Sequence, residues 1–272
     1  MPELPEVETL AAQLNRKMSG KKIAAVKVLN GTVLKSPRKI LEEKVPGMTL
    51  EKISRRGKFL AFQMKTEGVL WFHLGMTGQI FFRAGMPEKD PHLHLILEFE
   101  KTEERLYFRD IRRFGGFFLV YGNPEAVPAG LRLMGPEPLE IKEAEFIGLF
   151  KTRTGRIKSL LMNQRILAGI GNIYADESLF RAGIDPRVRP NRLSRPRLAA
   201  LFHAVRETLA EAIAHGGSST SDYIHINGES GKFQNHHRVY GKEGKACMNC
   251  RTPIRKIVLA GRSASFCPQC QT

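Results

Sequence analysis

Hydrophobic positions change period three times along this 272-residue chain. Leu4, Val7, Leu10, Ala11 and Leu14 recur at helical spacing, acids fill the first turn and Gly20 follows the end, which predicts a helix over residues 3–18. From residue 22 to 121 the pattern turns to short β-rich runs at 23–28, 59–62, 69–72, 93–99, 105–108 and 116–120, separated by Gly, Pro or charge clusters. Many short strands at this spacing predict an antiparallel sandwich or barrel. Residues 122–140 hold Pro124, Pro128, Gly130, Gly135, Pro136 and Pro138, the composition of a hinge. Residues 142–150, 156–168, 172–183 and 194–215 then read as helices. The pattern predicts an α+β chain: a β domain, a hinge, a helical domain and a cysteine-bearing tail.

The tail adds chemistry. All four cysteines fall in the last 26 residues as Cys247-x2-Cys250-x16-Cys267-x2-Cys270. Two disulfides are one solution, but paired C-x2-C motifs after a long cysteine-free chain fit a four-thiolate Zn²⁺ site on a β-hairpin better. A closed site of this kind leaves no open coordination position. Its work is to stiffen a hairpin that carries Arg251, Arg255, Lys256 and Arg262 and no acid between the cysteine pairs.

Charge narrows the partner. Forty-three Lys and Arg against 27 Asp and Glu give a net charge of +16. Residues 1–136 carry 22 basic and 15 acidic groups, and residues 137–272 carry 21 and 12. The excess of +7 and +9 is thus spread over both halves, as expected of two domains facing one nucleic acid. Ribosomal or membrane-surface binding explains the charge equally well. No 18-residue apolar run and no signal sequence are present, so a cytoplasmic protein is expected.

Candidate reactive groups stand at the beginning. Removal of Met1 exposes the secondary amine of Pro2 with Glu3 beside it; an α-amino group of pKa ~8 is partly unprotonated and nucleophilic near neutral pH. The alternative is a proline-stiffened leader. Gly169-Ile170-Gly171-Asn172 at a helix start suits a phosphate or a tight helix–helix turn. Arg55, Arg56 and Lys58 surround Gly57, either as a phosphate contact or as a solvated turn. Met76 and Phe114 lie near turn glycines, as wedges that fill the space of an extruded base do, and as ordinary core residues do.

Together, residues 1–9, 55–59, 73–78, 112–115, 135–138, 168–177, 239–241 and the four cysteines make the sequence resemble the formamidopyrimidine-DNA glycosylase family over its whole length. The resemblance implies an N-terminal β-sandwich with its leading helix (1–130), a hinge (131–140), a helix–two-turn–helix domain (141–240) and a zinc finger (241–272). It implies a monomer that excises oxidised purines, such as 8-oxoguanine and formamidopyrimidines, from damaged double-stranded DNA and then cleaves the abasic site by β,δ-elimination. Pro2, Glu3, Lys58 and Arg262 match the family's catalytic positions. His92, Arg112, Arg153, Lys158 and Asn172 match or neighbour its DNA contacts, and Met76, Arg112 and Phe114 its gap fillers. The loop 216–233, rich in Gly and Ser, matches the segment that closes over the base. Two departures stand out: Ser263-Ala264-Ser265 after Arg262, and Leu10-Ala11-Ala12 where many relatives carry two arginines. An endonuclease VIII-type enzyme for oxidised pyrimidines is a neighbouring alternative, and Leu4 argues against it. A non-catalytic zinc-ribbon protein that binds nucleic acid is the alternative from another class.

Overall fold

In the computed structural model, described for residues 1–85, 89–123, 127–220 and 223–272, the chain forms two compact units, Met1–Arg132 with Gly216–Lys232, and Leu133–His215 with Phe233–Thr272. The segment Gly216–Lys232, read from sequence as part of the helical domain, packs with the N-terminal unit. Pro124 of the expected hinge, and Ser221 and Asp222 of the expected lid, lie outside the described residues.

The N-terminal unit opens with α1 (Leu4–Met18), then β1 (Ile23–Val28), α2 (Arg38–Lys44), β2 (Leu50–Arg56), β3 (Phe59–Met64), β4 (Val69–His73), β5 (Gly78–Arg83), β6 (Leu93–Phe99), β7 (Arg105–Asp110), β8 (Gly116–Val120) and the short α3 (Ala129–Arg132). Two four-stranded antiparallel sheets, ordered β1-β6-β7-β5 and β2-β3-β4-β8, make the sandwich. Their inner faces share one core in which Phe62, Phe72, Leu97, Phe108 and Phe117 meet Val7, Leu10 and Leu14 of α1. Burial of that apolar stripe, more than helix propensity, keeps α1 on the sandwich.

β2 and β5 have no counterpart among the expected strands. Both are sheet edges; in β2 the charged Glu51, Lys52, Arg55 and Arg56 break the apolar alternation that marks a strand, while β5 opens on Gly78 and Gln79 and leaves an apolar run of only three residues, Ile80 to Phe82. Tyr223 and Ile226, from the returning segment, are buried in the same core.

The second unit holds α4 (Glu143–Lys151), α5 (Ile157–Leu161), α6 (Asn172–Arg181), α7 (Arg195–Ala214) and the hairpin β9 (Arg255–Leu259) and β10 (Arg262–Phe266). The helix expected over 156–168 ends at Leu161. Asn163 closes a side-chain turn by accepting the Arg165 N–H (3.0 Å). The Gln164 amide then donates to the Met162 and Ile170 carbonyls and accepts from the Gly169 N–H, at 2.8–2.9 Å. Such side-chain bonds satisfy backbone groups a helix would otherwise pair. Pro196 and the Ser194 cap begin α7, and Phe146, Phe150 and Phe202 knit α4 to it. No helix among the described residues is long and apolar enough to cross a membrane.

Candidate functional site

The N-terminus of α1 is built around a buried acid. Glu6 and Glu3 form a reciprocal capping box, with the Glu3 N–H donating to Glu6 Oε2 at 2.8 Å. The other Glu6 oxygen accepts the Ser218 N–H at 2.7 Å. One carboxylate therefore holds Pro2 and Glu3, both buried, and the start of the 216–232 segment. Tyr223 Oη adds bonds to the Glu6 and Gly216 carbonyls (3.3 and 3.2 Å), and the Ile226 N–H reaches Gln13 Oε1 (3.4 Å). Gly217, at φ +79°, has no room for a side chain, since a Cβ there would lie 2.8 Å from Glu6 Oε1. The segment whose composition suggests a mobile lid is anchored on α1.

Lys58 occupies a two-residue hairpin loop between paired Arg56 and Phe59. Gly57, at φ +54°, supplies the left-handed conformation such a loop needs at its first position. Arg55 turns inward instead of towards a ligand: it pairs with Glu8 of α1 at 2.8 Å and donates to the Gly57 carbonyl at 3.3 Å. Arg55 thus ties the Lys58 loop to the helix that begins beside Pro2 and Glu3. Next to this loop, burial and then the Lys58 ammonium push the His73 imidazole down to about 4, against the pull of Asp110. His73 is neutral, and its Nδ1 accepts the Gly75 N–H at 3.2 Å.

The loops bearing Met76 and Phe114 are joined by Asp110, which is 0% exposed. Its oxygens accept from Thr77 Oγ1 (2.6 Å) and the Gly115 N–H (2.8 Å), while Thr77 Oγ1 accepts the Arg112 N–H (3.0 Å). The backbones touch as well: Gly75, at φ +58°, would place a Cβ 2.4 Å from Phe114 C and Gly115 N. Out of this rigid base Phe114 stands 57% exposed, with the Arg112 guanidinium 4.7 Å from its ring centre. Met76 is half-buried on the adjoining loop. An aromatic ring so exposed is no core residue. His92, on the loop before β6, is half-buried; its N–H donates to Asp90 Oδ1 (2.8 Å), and its carbonyl accepts the Asp110 N–H (2.9 Å).

In the second unit the cysteine hairpin is locked to the helices. All four Sγ atoms lie within 4.8 Å of one another, with Cys247–Cys270 at 3.8 Å and Cys250–Cys267 at 3.4 Å, and no disulfide forms. A tetrahedron with metal–sulfur bonds of about 2.3 Å has edges of about 3.8 Å, so the cluster fits one structural Zn²⁺ held by Cys247, Cys250, Cys267 and Cys270. The metal fixes the fold of this tail and leaves no coordination position for a reactant. Ala260 and Gly261, both with positive φ, make the two-residue turn that starts β10 at the exposed Arg262.

Lys158 departs from the sequence expectation. Its side chain is 1% exposed, and its ammonium pairs with Asp176 at 2.7 Å and donates to the Ser263 carbonyl. A buried ammonium engaged in this way is closed to a DNA phosphate, and Lys158 positions the strand that begins with Arg262. Burial pushes the Asp176 carboxyl up to about 7, against the pull of Lys158 and of the Ser265 N–H. Asn172 Nδ2 donates to Ser263 Oγ (3.1 Å) at the start of α6. The Gly169 N–H, expected to face an anion, is taken by Gln164. Glu177 accepts three successive N–H groups, from Arg238, Val239 and Tyr240 at 2.8–3.0 Å, and anchors the approach to the cysteines. Arg153 is exposed after α4.

Three family models match the chain in order: the formamidopyrimidine-DNA glycosylase N-terminal domain over residues 1–117, its H2TH domain over 134–223, and the zinc finger found in FPG and IleRS over 244–272. The chain belongs to the formamidopyrimidine-DNA glycosylase family. It is 43% identical to the formamidopyrimidine-DNA glycosylase of Solibacter usitatus over 272 residues, covering 100% of this chain and 99% of the relative. With that of Bacillus subtilis the identity is 40% at the same coverage. Among solved structures, a Lactococcus lactis FPG mutant in complex with a Fapy-dG containing DNA superposes with a TM-score of 0.92 at 35% identity, covering 100% of both chains. MutM in complex with carbocyclic 8-oxo-G containing DNA gives 0.90 at 35% identity and the same coverage.

Several anchoring residues of this family member escape sequence reasoning: Glu6, Asp110, Gln164, Asp176 and Glu177. Glu6 alone left a usable signal, because Glu at the third helical position after an acidic cap is a capping-box pattern. Asp176 and Glu177 act through backbone groups distant in sequence, which no local pattern marks, while Gln164 and Asp110 bond backbone within six residues in irregular loops that no periodicity marks.

Proposed function

We propose that this protein is a bifunctional glycosylase and abasic-site lyase that excises oxidised purines, 8-oxoguanine and formamidopyrimidines, from duplex DNA. The nucleophile is the Pro2 nitrogen, which is an amide while Met1 is present; activity requires Met1 to be removed. The amine forms a bond to C1′ of the damaged nucleotide as the bond from C1′ to the base breaks and the base leaves with a proton. Loss of the ring oxygen from C1′ gives the iminium. Removal of a C2′ proton then expels the 3′ phosphate, and a second elimination expels the 5′ phosphate. Glu3 carries protons to and from the sugar, Lys58 serves the first elimination and Arg262 the second. His92, Arg112, Arg153 and Asn172 grip phosphates, while Met76, Arg112 and Phe114 fill the space left by the base. Filling that space offsets the few kcal/mol of stacking and pairing that flipping costs.

The observation that carries this reading is the double use of Glu6, which fixes the Pro2–Glu3 backbone and the 216–232 segment with one carboxylate. A base held under that segment lies next to the amine. Borohydride trapping on a duplex with 8-oxoguanine opposite cytosine, followed by peptide mapping, tests it. A cross-link on Pro2 is expected. Faster trapping on thymine glycol than on 8-oxoguanine would move the substrate to oxidised pyrimidines, and binding without any adduct would leave only an architectural DNA-binding role.

A further inference from the structure

Arginines gather on the second unit at a place that none of the roles above uses. Between residues 151 and 197 there are 11 Lys and Arg and three acids, Asp176, Glu177 and Asp185. The first two acids are buried in the anchors already described. The third is gripped by Arg187, whose backbone N–H and guanidinium both bond to it, the closest contact being 2.6 Å. Arg156, Arg187, Arg189 and Arg192 line an open groove of about 530 Å³, in which Asp185 is the one acidic side chain among the lining residues.

The walls are fixed by backbone bonds. Ile157 N–H donates to the Val188 carbonyl (2.8 Å) and Arg156 Nη1 to the Arg187 carbonyl (2.7 Å). Arg197 Nη2 holds the Gly183 carbonyl and a terminal carboxylate oxygen of Thr272, both at 2.8 Å, beside the groove. Arg187 also stacks 5.2 Å from the ring centre of Phe266 on β10. Arg156, Arg189 and Arg192 are exposed. Clustered guanidiniums on a stiff frame, with the Asp185 carboxylate spent on Arg187 and the terminal Thr272 carboxylate engaged by Arg197, create a local positive potential, and a concave wall focuses it. The groove is too open to enclose a small anion, whereas planar guanidiniums spread along it match the oxygens of successive phosphates.

We propose that this groove is a second contact for the DNA backbone, gripping duplex away from the lesion and adding sequence-independent affinity. The proposal rests on DNA being the substrate. Each cation that neutralises a phosphate adds about 0.9 to the slope of log affinity against log salt. R189S/R192S in the full-length protein is therefore expected to lower that slope by about 1.8 on an undamaged 40-base-pair duplex. At about 0.15 M salt the same loss weakens binding about 30-fold. Single-turnover excision of 8-oxoguanine at saturating enzyme should be unchanged, R189K/R192K should keep the wild-type slope, and K17S/K39S, which removes two exposed cations elsewhere, should keep it too. An unchanged slope in R189S/R192S overturns the proposal. So does an equal fall in K17S/K39S, which would make the effect one of net charge, or a slower excision at saturation, which would place these arginines at the lesion. If wild-type protein neither binds duplex nor excises the base, the DNA reading itself fails; if wild type does both and only the slope test fails, the second contact alone is lost.

Discussion

Replacing Asp110 by Asn keeps the side chain's shape and removes one acceptor, at a site where both oxygens are used. The arrangement that costs least turns the remaining oxygen to the Gly115 N–H and the new amide to Thr77 Oγ1. The Thr77 proton then has no acceptor, and both bonds lose their charge assistance. Hydrogen bonds to a charged group contribute about 1.5–3 kcal/mol against about 0.5–1.5 for neutral ones, and a stranded buried donor costs about 1–3 kcal/mol. D110N should lose about 3 kcal/mol, a large part of the roughly 5–15 kcal/mol that holds a domain folded. Urea unfolding of D110N, T77V and the double variant measures it, and the two singles should be non-additive by more than about 0.5 kcal/mol because they share one bond. The functional signature is selective. Since each 1.4 kcal/mol is tenfold, excision of 8-oxoguanine paired with cytosine should fall by up to about 100-fold, as the loops bearing Met76, Arg112 and Phe114 loosen. Cleavage of a preformed abasic site, which has no base to extrude, should fall far less. Equal losses on both substrates, or unaltered stability, would refute the assignment of Asp110 as the anchor of the wedges.

Two further outcomes are expected. Chelation of zinc, or Cys250→Ser, should unfold the tail from residue 247 onward and free Arg262, cutting DNA affinity and the second elimination while circular dichroism keeps the β signal of the sandwich. His73 and His237 are both pushed down to about 4, chiefly by burial. Their unfolded value near 6.5 means that the unfolded chain binds the extra protons first, so stability is full above about pH 6.5 and falls as the pH drops towards 4, by about 3 kcal/mol for His73. NMR titration checks this, and a His73 ring that protonates near pH 6.5 in the folded protein would refute it.

The sandwich was readable because its inner strands, such as residues 59–62 and 69–72, are continuously apolar, and the zinc site because four thiolates at fixed spacing have few other uses. The edge strand β2 was hidden by its own charges, and β5 by its opening Gly78-Gln79 and an apolar run of only three residues. The helix read to 168 fails because Asn163 and Gln164 outcompete its backbone bonds, and propensity does not register such competition. Lys158 shows the limit for single residues. A lysine near a phosphate-suited turn reads as a ligand, yet the carboxylate 18 positions later that takes it into the interior has no local signature.

The missed residues also share a physical role. Glu6, Asp110, Asp176 and Glu177 are all buried, and each accepts a backbone N–H from a segment that bears or leads to proposed functional residues or the zinc site: Glu3 and Ser218, Gly115, Ser265, and residues 238–240 on the approach to the cysteines. A protein that grips phosphates needs its loops stiff, and a carboxylate accepting N–H groups is among the strongest ways to stiffen them. The same carboxylate on the surface would repel DNA over roughly 10 Å at 0.1 M salt. Burial resolves the conflict. The desolvation cost is offset in part by N–H donors, by Thr77 at Asp110 and by Lys158 at Asp176, although burial still holds Asp176 and Glu177 above the usual carboxylate range. In a chain of charge +16 these four acids are thus placed where they order the binding surface without weakening its field. It follows that moving one of them outward should hurt DNA binding twice, through a loosened loop and through a new repulsion.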